Sequence, residues 1–339
     1  MSDLPGLDLP RLTAWLDEHR PGLRQGGLRA GLLAGGRSNL TYRLTDDVHA
    51  WALRRPPLGH VLPTAHDMAR EYRVISALRG TGIPVAGAVA FSEDPGVIGA
   101  PFYLMDFVAG RVLATAQDTA ALSPVEAART GQLLVDTLTA LHELDPVAAG
   151  LGGFGHPAGF LERQVRRWHR QWRSSETRPL DLVGTTVDRL SMSVPQGGRP
   201  GIVHGDYRLA NTILTPALDR IAAVIDWEMA TVGDPLTDLG LLVVYQSLAA
   251  DGEFGLAPLR PADGHLTAGQ LAARYRDRSS RDLGRLNWYV GFGFFKLAVI
   301  SETIRHRHLA GQTVGAGFER PGDDVPAILE AAQRALADD

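Results

Sequence analysis

Asp206 and Asn211 stand five residues apart in Val203-His204-Gly205-Asp206-Tyr207-Arg208-Leu209-Ala210-Asn211-Thr212-Ile213-Leu214, and Asp226 follows in Ala223-Val224-Ile225-Asp226-Trp227-Glu228. Apolar runs (Gly201 to Val203, Ile213-Leu214, Ile221 to Ile225) flank polar residues that a buried strand would not carry without a use. Asp206 can accept the proton of a substrate hydroxyl. The Asn211 amide oxygen and the Asp226 carboxylate are hard oxygen ligands suited to Mg²⁺ on a nucleoside triphosphate. The plain alternative, a polar turn with a capping aspartate, leaves the agreement of two motifs unexplained. His204 is read as a brace for this loop, with a role as the base itself as the alternative. Gly205 suits a backbone angle that other residues avoid, or a close approach.

The rest of the chain must supply the elements that hold these groups. Its 339 residues are enough for a sizeable core and two lobes. The composition is that of an ordinary globular protein, without repeats or low-complexity tracts. A net charge of −4 gives no case for nucleic acid or a membrane surface as partner. There is no cysteine, which excludes disulfides and thiolate metal sites. Met1 to His19 carries acids and prolines where a signal peptide needs a basic and then an apolar run. The apolar run around Tyr289 to Ile300 is too short to span a bilayer and contains Lys296. A cytoplasmic protein is expected. Of the 34 basic residues, all but Lys296 are arginine.

In the N-terminal third, Leu9, Leu12, Trp15 and Leu16 have helical spacing over Leu9 to His19. Leu32 to Leu44 reads as strand, glycine turn, strand, with alternation at Leu40, Tyr42 and Leu44. Ser38 and Asn39 at the tip of that turn can offer backbone N–H groups to phosphates, a plain hairpin being the alternative. No Gly-Lys-Ser/Thr follows, so this is not a Walker loop. Ala50 to Arg55 is a strand ending in two arginines, Asp67 to Arg79 a helix, and Ile83 to Phe91 and Pro101 to Met105 two further strands.

In the remainder, Ser123-Pro124-Val125-Glu126 is a capping box with proline at the first helical position, opening a helix to about Leu144 on which His142 is structural. A glycine-rich loop, Gly150 to Gly159, leads to a helix with five arginines between Phe160 and Arg173. Asp234-Pro235 is a helix start, Asp234 being a cap. Helices are expected over Thr267 to Arg278, Asn287 to Arg307 and Val325 to Ala337. Tyr289, Phe292, Phe295 and Lys296 lie on helical spacing in the second of these, and its aromatics read as core rather than pocket.

His-Gly-Asp followed by Asn, with Ile-Asp-Trp beyond it, resembles the aminoglycoside phosphotransferase family of kinase-like enzymes. The likeness covers roughly Gly27 to His308. It implies an α+β, two-lobed, protein-kinase-like fold with a small antiparallel-sheet lobe over residues 1–106 and a larger, mainly helical lobe over 107–339. It implies Asp206 as catalytic base with His204 beside it, Asn211 and Asp226 as metal ligands, and main-chain groups near Met105, Phe107 and Val108 against adenine. Kinases use a strand lysine on the α- and β-phosphates, paired with a helix glutamate. Arg54 takes that place here, with Arg55 as the alternative bearer and Glu71 as the partner. Asp238 in Gly233-Asp234-Pro235-Leu236-Thr237-Asp238-Leu239 is implied to tie its helix to the catalytic loop.

Gly36-Arg37-Ser38-Asn39, Leu53-Arg54-Arg55-Pro56-Pro57 and Arg70-Glu71-Tyr72-Arg73 are similar to the branch of this family that also occurs fused ahead of acyl-CoA dehydrogenase domains. That branch implies phosphorylation of a hydroxy acid or hydroxyacyl-CoA. The charges agree: between Leu239 and Glu319 stand eight arginines and Lys296 against seven acids, although many can be solvated helix faces. The reading is an ATP- and Mg²⁺-dependent O-phosphotransferase acting on a hydroxyl of an anionic small molecule. The alternatives are an aminoglycoside or other antibiotic kinase, and a nucleotide-binding module without catalysis.

Overall fold

Asp8 starts the first helix, α1 (Leu9–His19): its carboxylate accepts the Arg11 N–H at 3.0 Å, and Pro10 lies in the first turn, where its missing N–H costs nothing. Leu12 and Leu16, one turn apart, are its buried positions. The structure, a computed structural model, describes residues 4–33, 39–58, 67–251, 264–311 and 322–337. Two compact units divide the chain. The first comprises Met1–Arg111, Thr212–Pro216 and Ile221–Ala230, and the second Val112–Asn211, Ala217–Arg220 and Thr231–Asp339.

In the first unit follow β1 (Arg29–Leu32), β2 (Leu40–Thr45), β3 (Ala50–Arg55), α2 (Met68–Leu78), β4 (Ala88–Ser92), α3 (Pro95–Ile98) and β5 (Phe102–Asp106). The strands form one antiparallel sheet, as expected, and its order is β1-β2-β3-β5-β4. The strand expected from Ile83 begins only at Ala88. Pro84 has no N–H for a ladder, and its carbonyl instead accepts from Val224 at 2.8 Å. Successive side chains of a strand point to opposite faces, and that separates the two arginines of β3. Arg55 turns to the face holding Trp51 and Leu53, where its guanidinium meets the carbonyls of Gly6 and Ile98. Arg54 turns to the other face, toward α2.

Asp46 shapes the β2–β3 turn, its carboxylate accepting the backbone N–H groups of Gln25, Val48 and His49. Burial pushes this carboxyl up, but those N–H groups outweigh it and hold the group well below the usual range. A lowered folded value means stability that is present above the unfolded value, about 3.9, and lost as pH falls below it. Asp46→Asn should therefore lower Tm at pH 7, and the gap to wild type should begin to narrow as pH falls below about 4. Melts from pH 3 to 7 check this; a gap independent of pH would count against it.

The second unit holds α4 (Ala116–Ala120), α5 (Pro124–Glu143), α6 (Phe160–Ser175), α7 (Asp181–Met192), α8 (Leu236–Asp251), α9 (Ala268–Arg278), α10 (Leu286–Leu309) and α11 (Val325–Ala337). The expected capping box opens α5, Ser123 and Glu126 bonding each other's backbone N–H groups. Asp234 caps the start of α8, accepting the Leu236 N–H at 3.0 Å. Helix α10 is buried nearly all round because it packs on α6, α8 and α11. Tyr289, Phe292 and Phe295 are core, as read. Close approach of α8 and α10 needs Gly240, where a Cβ would meet the Tyr289 carbonyl at 2.5 Å. A short antiparallel pair, Gly201–Val203 with Thr231–Gly233, leads into the His204 loop. Among the described residues no helix is long and apolar enough to cross a membrane.

Candidate active site

Arg54 is the centre of the first unit's polar cluster. Its Nε lies 3.0 Å from Glu71 Oε2, and its Nη2 pairs with Asp226 and stands 3.7 Å from Glu228 Oε2. Glu71 on α2 is 1% exposed and also accepts from Tyr103 Oη at 2.9 Å and Asn39 Nδ2 at 3.3 Å. The Asn39 amide nitrogen reaches Glu228 Oε2 as well, at 3.1 Å. One planar guanidinium thus serves three carboxylates from two separate stretches of the chain, a task its fork suits better than a point-charge ammonium. Burial pushes Glu71 up to about 7, against the pull of Arg54 and with the push of Asp226 and Glu228. Burial alone would lower Arg54, but Glu71, Tyr103 and Asp226 raise it above its ordinary value.

Asp226 follows the strand Ile221–Val224 and has φ 68°, in the left-handed region that aspartate tolerates better than most side chains. It makes no cap bond to the single turn Trp227–Met229, and its carboxylate goes to Arg54. Trp227 anchors this corner, its Nε1 donating to the Val224 carbonyl at 3.0 Å. Of the two residues expected at the glycine turn, Asn39 is in this cluster and Ser38 lies outside the described residues. Met105 is in register with Ala52 and Ala88. The Phe107 N–H is committed to the Ala50 carbonyl at 3.1 Å, its ring lies under the Arg43 guanidinium at 4.6 Å, and Val108 is half-buried.

The second unit holds Asp206, His204 and Asn211. Asn211 Nδ2 donates to the Asp206 carbonyl at 2.8 Å and to its Oδ2 at 3.0 Å, and Tyr245 Oη of α8 donates to Oδ1 at 3.1 Å. Arg208 Nε lies 3.5 Å from Oδ2, and its guanidinium stacks on the Tyr245 ring at 5.3 Å. Each Asp206 carboxylate oxygen therefore has a donor. Both Asn211 bonds use the amide nitrogen, which leaves the amide oxygen for a cation.

Asp238 fixes the backbone beneath. It accepts the His204 N–H at 2.6 Å and the Gly205 N–H at 2.8 Å, and a third bond, at 3.3 Å, joins it to His142 Nε2. Burial pushes Asp238 up, and His142 and His204 outweigh it, so the group is held below its ordinary value. His142 is pushed down by burial. Its neutral ring can donate to Asp238 through Nε2 while Nδ1 accepts from Tyr275 at 2.8 Å. Gly205 has φ +89°, which explains glycine at this step. His204 is fully buried and its Nδ1 accepts the Asp206 N–H at 3.2 Å, the geometry of a brace. Tyr207 pins the loop to α5 through Leu134 O at 2.9 Å.

Sequence reasoning did not find Glu228, Tyr103, Tyr245 or the partners of Lys296. Only Glu228 carried a signal, an acid two residues beyond Asp226. Tyr245→Phe should remove one donor from Asp206 and, with Asp206 as the base the motif leads one to expect, cost about 0.5–1.5 kcal/mol in the transition state, a few-fold in kcat. Steady-state rates check this, and a loss as large as that of Asp206→Asn would give Tyr245 a different role.

A five-stranded sheet unit with an Arg–Glu pair, and a helical unit with His-Gly-Asp and Asn on a braced loop, define a kinase-like phosphotransferase architecture. The chain belongs to the APH phosphotransferase enzyme family, whose family model matches residues 30–283. It is similar to acyl-CoA dehydrogenase family member 11 of Gallus gallus, with 32% identity over 339 residues, covering 97% of this chain and 43% of that protein. The Rattus norvegicus counterpart is 31% identical over 317 residues, covering 90% of this chain and 40% of that one. The chain thus spans less than half the length of these curated relatives. A crystal structure provisionally assigned as an aminoglycoside phosphotransferase of Ralstonia eutropha JMP134 is 31% identical and matches with a TM-score of 0.85 over 98% of both chains. The resemblance read from the motifs, including its branch, is confirmed by these relatives.

Proposed function

We propose that the chain is an ATP- and Mg²⁺-dependent O-phosphotransferase whose acceptor is a small anionic molecule, a hydroxy acid or hydroxyacyl-CoA. The observation that carries this reading is Asp206, held by Asn211 and Tyr245 on a loop whose backbone Asp238 fixes. In the proposed reaction the acceptor oxygen attacks the γ-phosphorus of ATP. The bond to the β-phosphate oxygen breaks, ADP leaves, and the hydroxyl proton passes to the Asp206 carboxylate. Arg54, kept charged and oriented by Glu71, is the proposed cation on the α- and β-phosphates, and main-chain groups of the Met105, Phe107 and Val108 stretch that the sheet does not use (the Phe107 N–H is committed to Ala50) are proposed for adenine. Asn211 and Asp226 fit Mg²⁺ by chemistry, an amide oxygen and a carboxylate completed by nucleotide phosphates. The ion would supply neutralisation of phosphate charge there.

The names of the relatives, acyl-CoA dehydrogenase family members, support an acyl-bearing acceptor, and the Arg208 guanidinium 3.5 Å from Asp206 disfavours a polycationic antibiotic. The test is ADP formation from Mg-ATP with hydroxy acids, hydroxyacyl-CoAs, sugars and aminoglycosides, with Asp206→Asn as control. Asp206-dependent turnover on an anionic class supports the reading. Turnover on aminoglycosides alone would replace the acceptor, and ATP binding without turnover on any compound would favour a non-catalytic module.

A further inference from the structure

Lys296, the chain's only lysine, is 7% exposed on the apolar helix α10. Its ammonium donates to the Gly205 carbonyl and lies 5.2 Å from the centroid of the Trp168 ring on α6. Among the described residues no carboxylate forms an ion pair with it. A buried charge costs several kcal/mol to desolvate and is ordinarily paired at contact distance. Here a carbonyl dipole and an aromatic face take that place. Burial pushes the ammonium below its ordinary value, Asp206 and Asp238 pull it up from further off, and Arg167 pushes it down again.

Arg167 addresses the same indole, its guanidinium carbon 5.8 Å from the ring centroid. Arg166, Arg170 and Arg173 are exposed with it along α6, and among the described residues none of the four arginines is in an ion pair. Like charges one turn apart on a helix repel. Positive charge therefore accumulates along α6 and at Lys296, whose bonded partner Gly205 adjoins Asp206, with no contacting carboxylate among the described residues.

We propose that Lys296 and Arg167, ranged on the Trp168 ring, form the subsite that receives the acid group of the acceptor, a carboxylate or a phosphate, while its hydroxyl meets Asp206. The assignment rests on the phosphotransfer reading of Asp206. Arg167 meets the anion from the exposed side and Lys296 from the buried side. Because Lys296 is tied to Gly205, and successive α-carbons are only about 3.8 Å apart, the hydroxyl and the acid group belong to one short segment of the acceptor.

A single lysine makes the test direct. Protein grown on [13Cε]lysine gives one ε-methylene signal, which reports Lys296 without turnover. It is titrated with 3-hydroxybutyrate, with glycerol 2-phosphate and with the neutral methyl 3-hydroxybutyrate, each with and without Mg-AMP-PNP. At least one anion should shift the signal saturably, and the ester should not. Arg167→Gln, on the exposed face of α6, should weaken that binding about tenfold. A response to the carboxylate alone assigns a hydroxy acid, and one to the phosphate alone a phosphate ester. An equal response to the ester, silence toward both anions, or unchanged affinity in Arg167→Gln overturns the subsite. The phosphotransfer reading fails separately, by absence of Asp206-dependent ADP formation, which this signal does not measure.

Discussion

Asp206→Asn should lower kcat by about 10²–10⁴-fold, the usual contribution of a positioned general base, and leave ATP affinity within a few-fold of wild type. The substitution isolates proton acceptance because little else changes. An asparagine here can still accept from Asn211 or, turned over, from Tyr245. The braces beneath the loop, from Asp238 to the His204 and Gly205 N–H groups, do not involve the Asp206 side chain. Single-turnover rates with equilibrium nucleotide binding separate the two quantities. Full transfer in the variant would remove Asp206 from the chemistry.

The second large effect is expected at Arg54. Arg54→Met keeps an unbranched apolar stem and removes the guanidinium and its charge, leaving Glu71, 1% exposed, beside Asp226 and Glu228 with no cation between them. Removing one partner of a buried pair costs about 3–5 kcal/mol, less whatever Glu71 recovers by taking up a proton. The sign with pH follows. A carboxyl raised to about 7 in the folded protein contributes its stability below the unfolded value, about 4.3, and loses it as pH rises through 7. Without Arg54 the group should rise further, so the variant should be penalised more at pH 8 than at pH 6. Denaturant titrations at both values give the comparison, and Glu71→Gln in the same background should recover much of the loss. Strictly additive effects of the two substitutions would show that Arg54 and Glu71 do not act as a pair. ATP affinity should fall as well, by the loss of the proposed phosphate cation.

Local chemistry carried most of what could be read beforehand. The spacing of Leu9, Leu12, Trp15 and Leu16, the Ser123 cap, the Asp234-Pro235 start and the alternation of Leu40, Tyr42 and Leu44 are written in neighbouring residues, and the elements appear where those signals stand. Helix α7 was missed because Leu180 offers no capping side chain and Gly184, Thr185 and Thr186 weaken the helical signal. For α10 the apolar residues surround the axis, so periodicity could not say which side Lys296 faces. The site divides in the same way. Asp206, Asn211 and Asp226 were legible as motifs, whereas Arg54 and Arg55 stayed alternatives until the structure put one beside Glu71 and the other on the Gly6 and Ile98 carbonyls. The Asn39 bond to Glu228, the Tyr245 bond to Asp206 and the Lys296 bond to Gly205 join residues 189, 39 and 91 positions apart. No local pattern encodes such a pairing.

The first unit is not a continuous stretch of chain: it takes back Thr212–Pro216 and Ile221–Ala230 after the polypeptide has passed through much of the second. Arg54 is synthesised 172 residues before Asp226. At translation rates of about 5–20 residues per second, the guanidinium waits roughly ten to thirty seconds for that carboxylate. During synthesis the N-terminal sheet therefore emerges with its cation unneutralised by Asp226 and its last segments missing. A shortened product ending at Arg111 would stay in that state permanently.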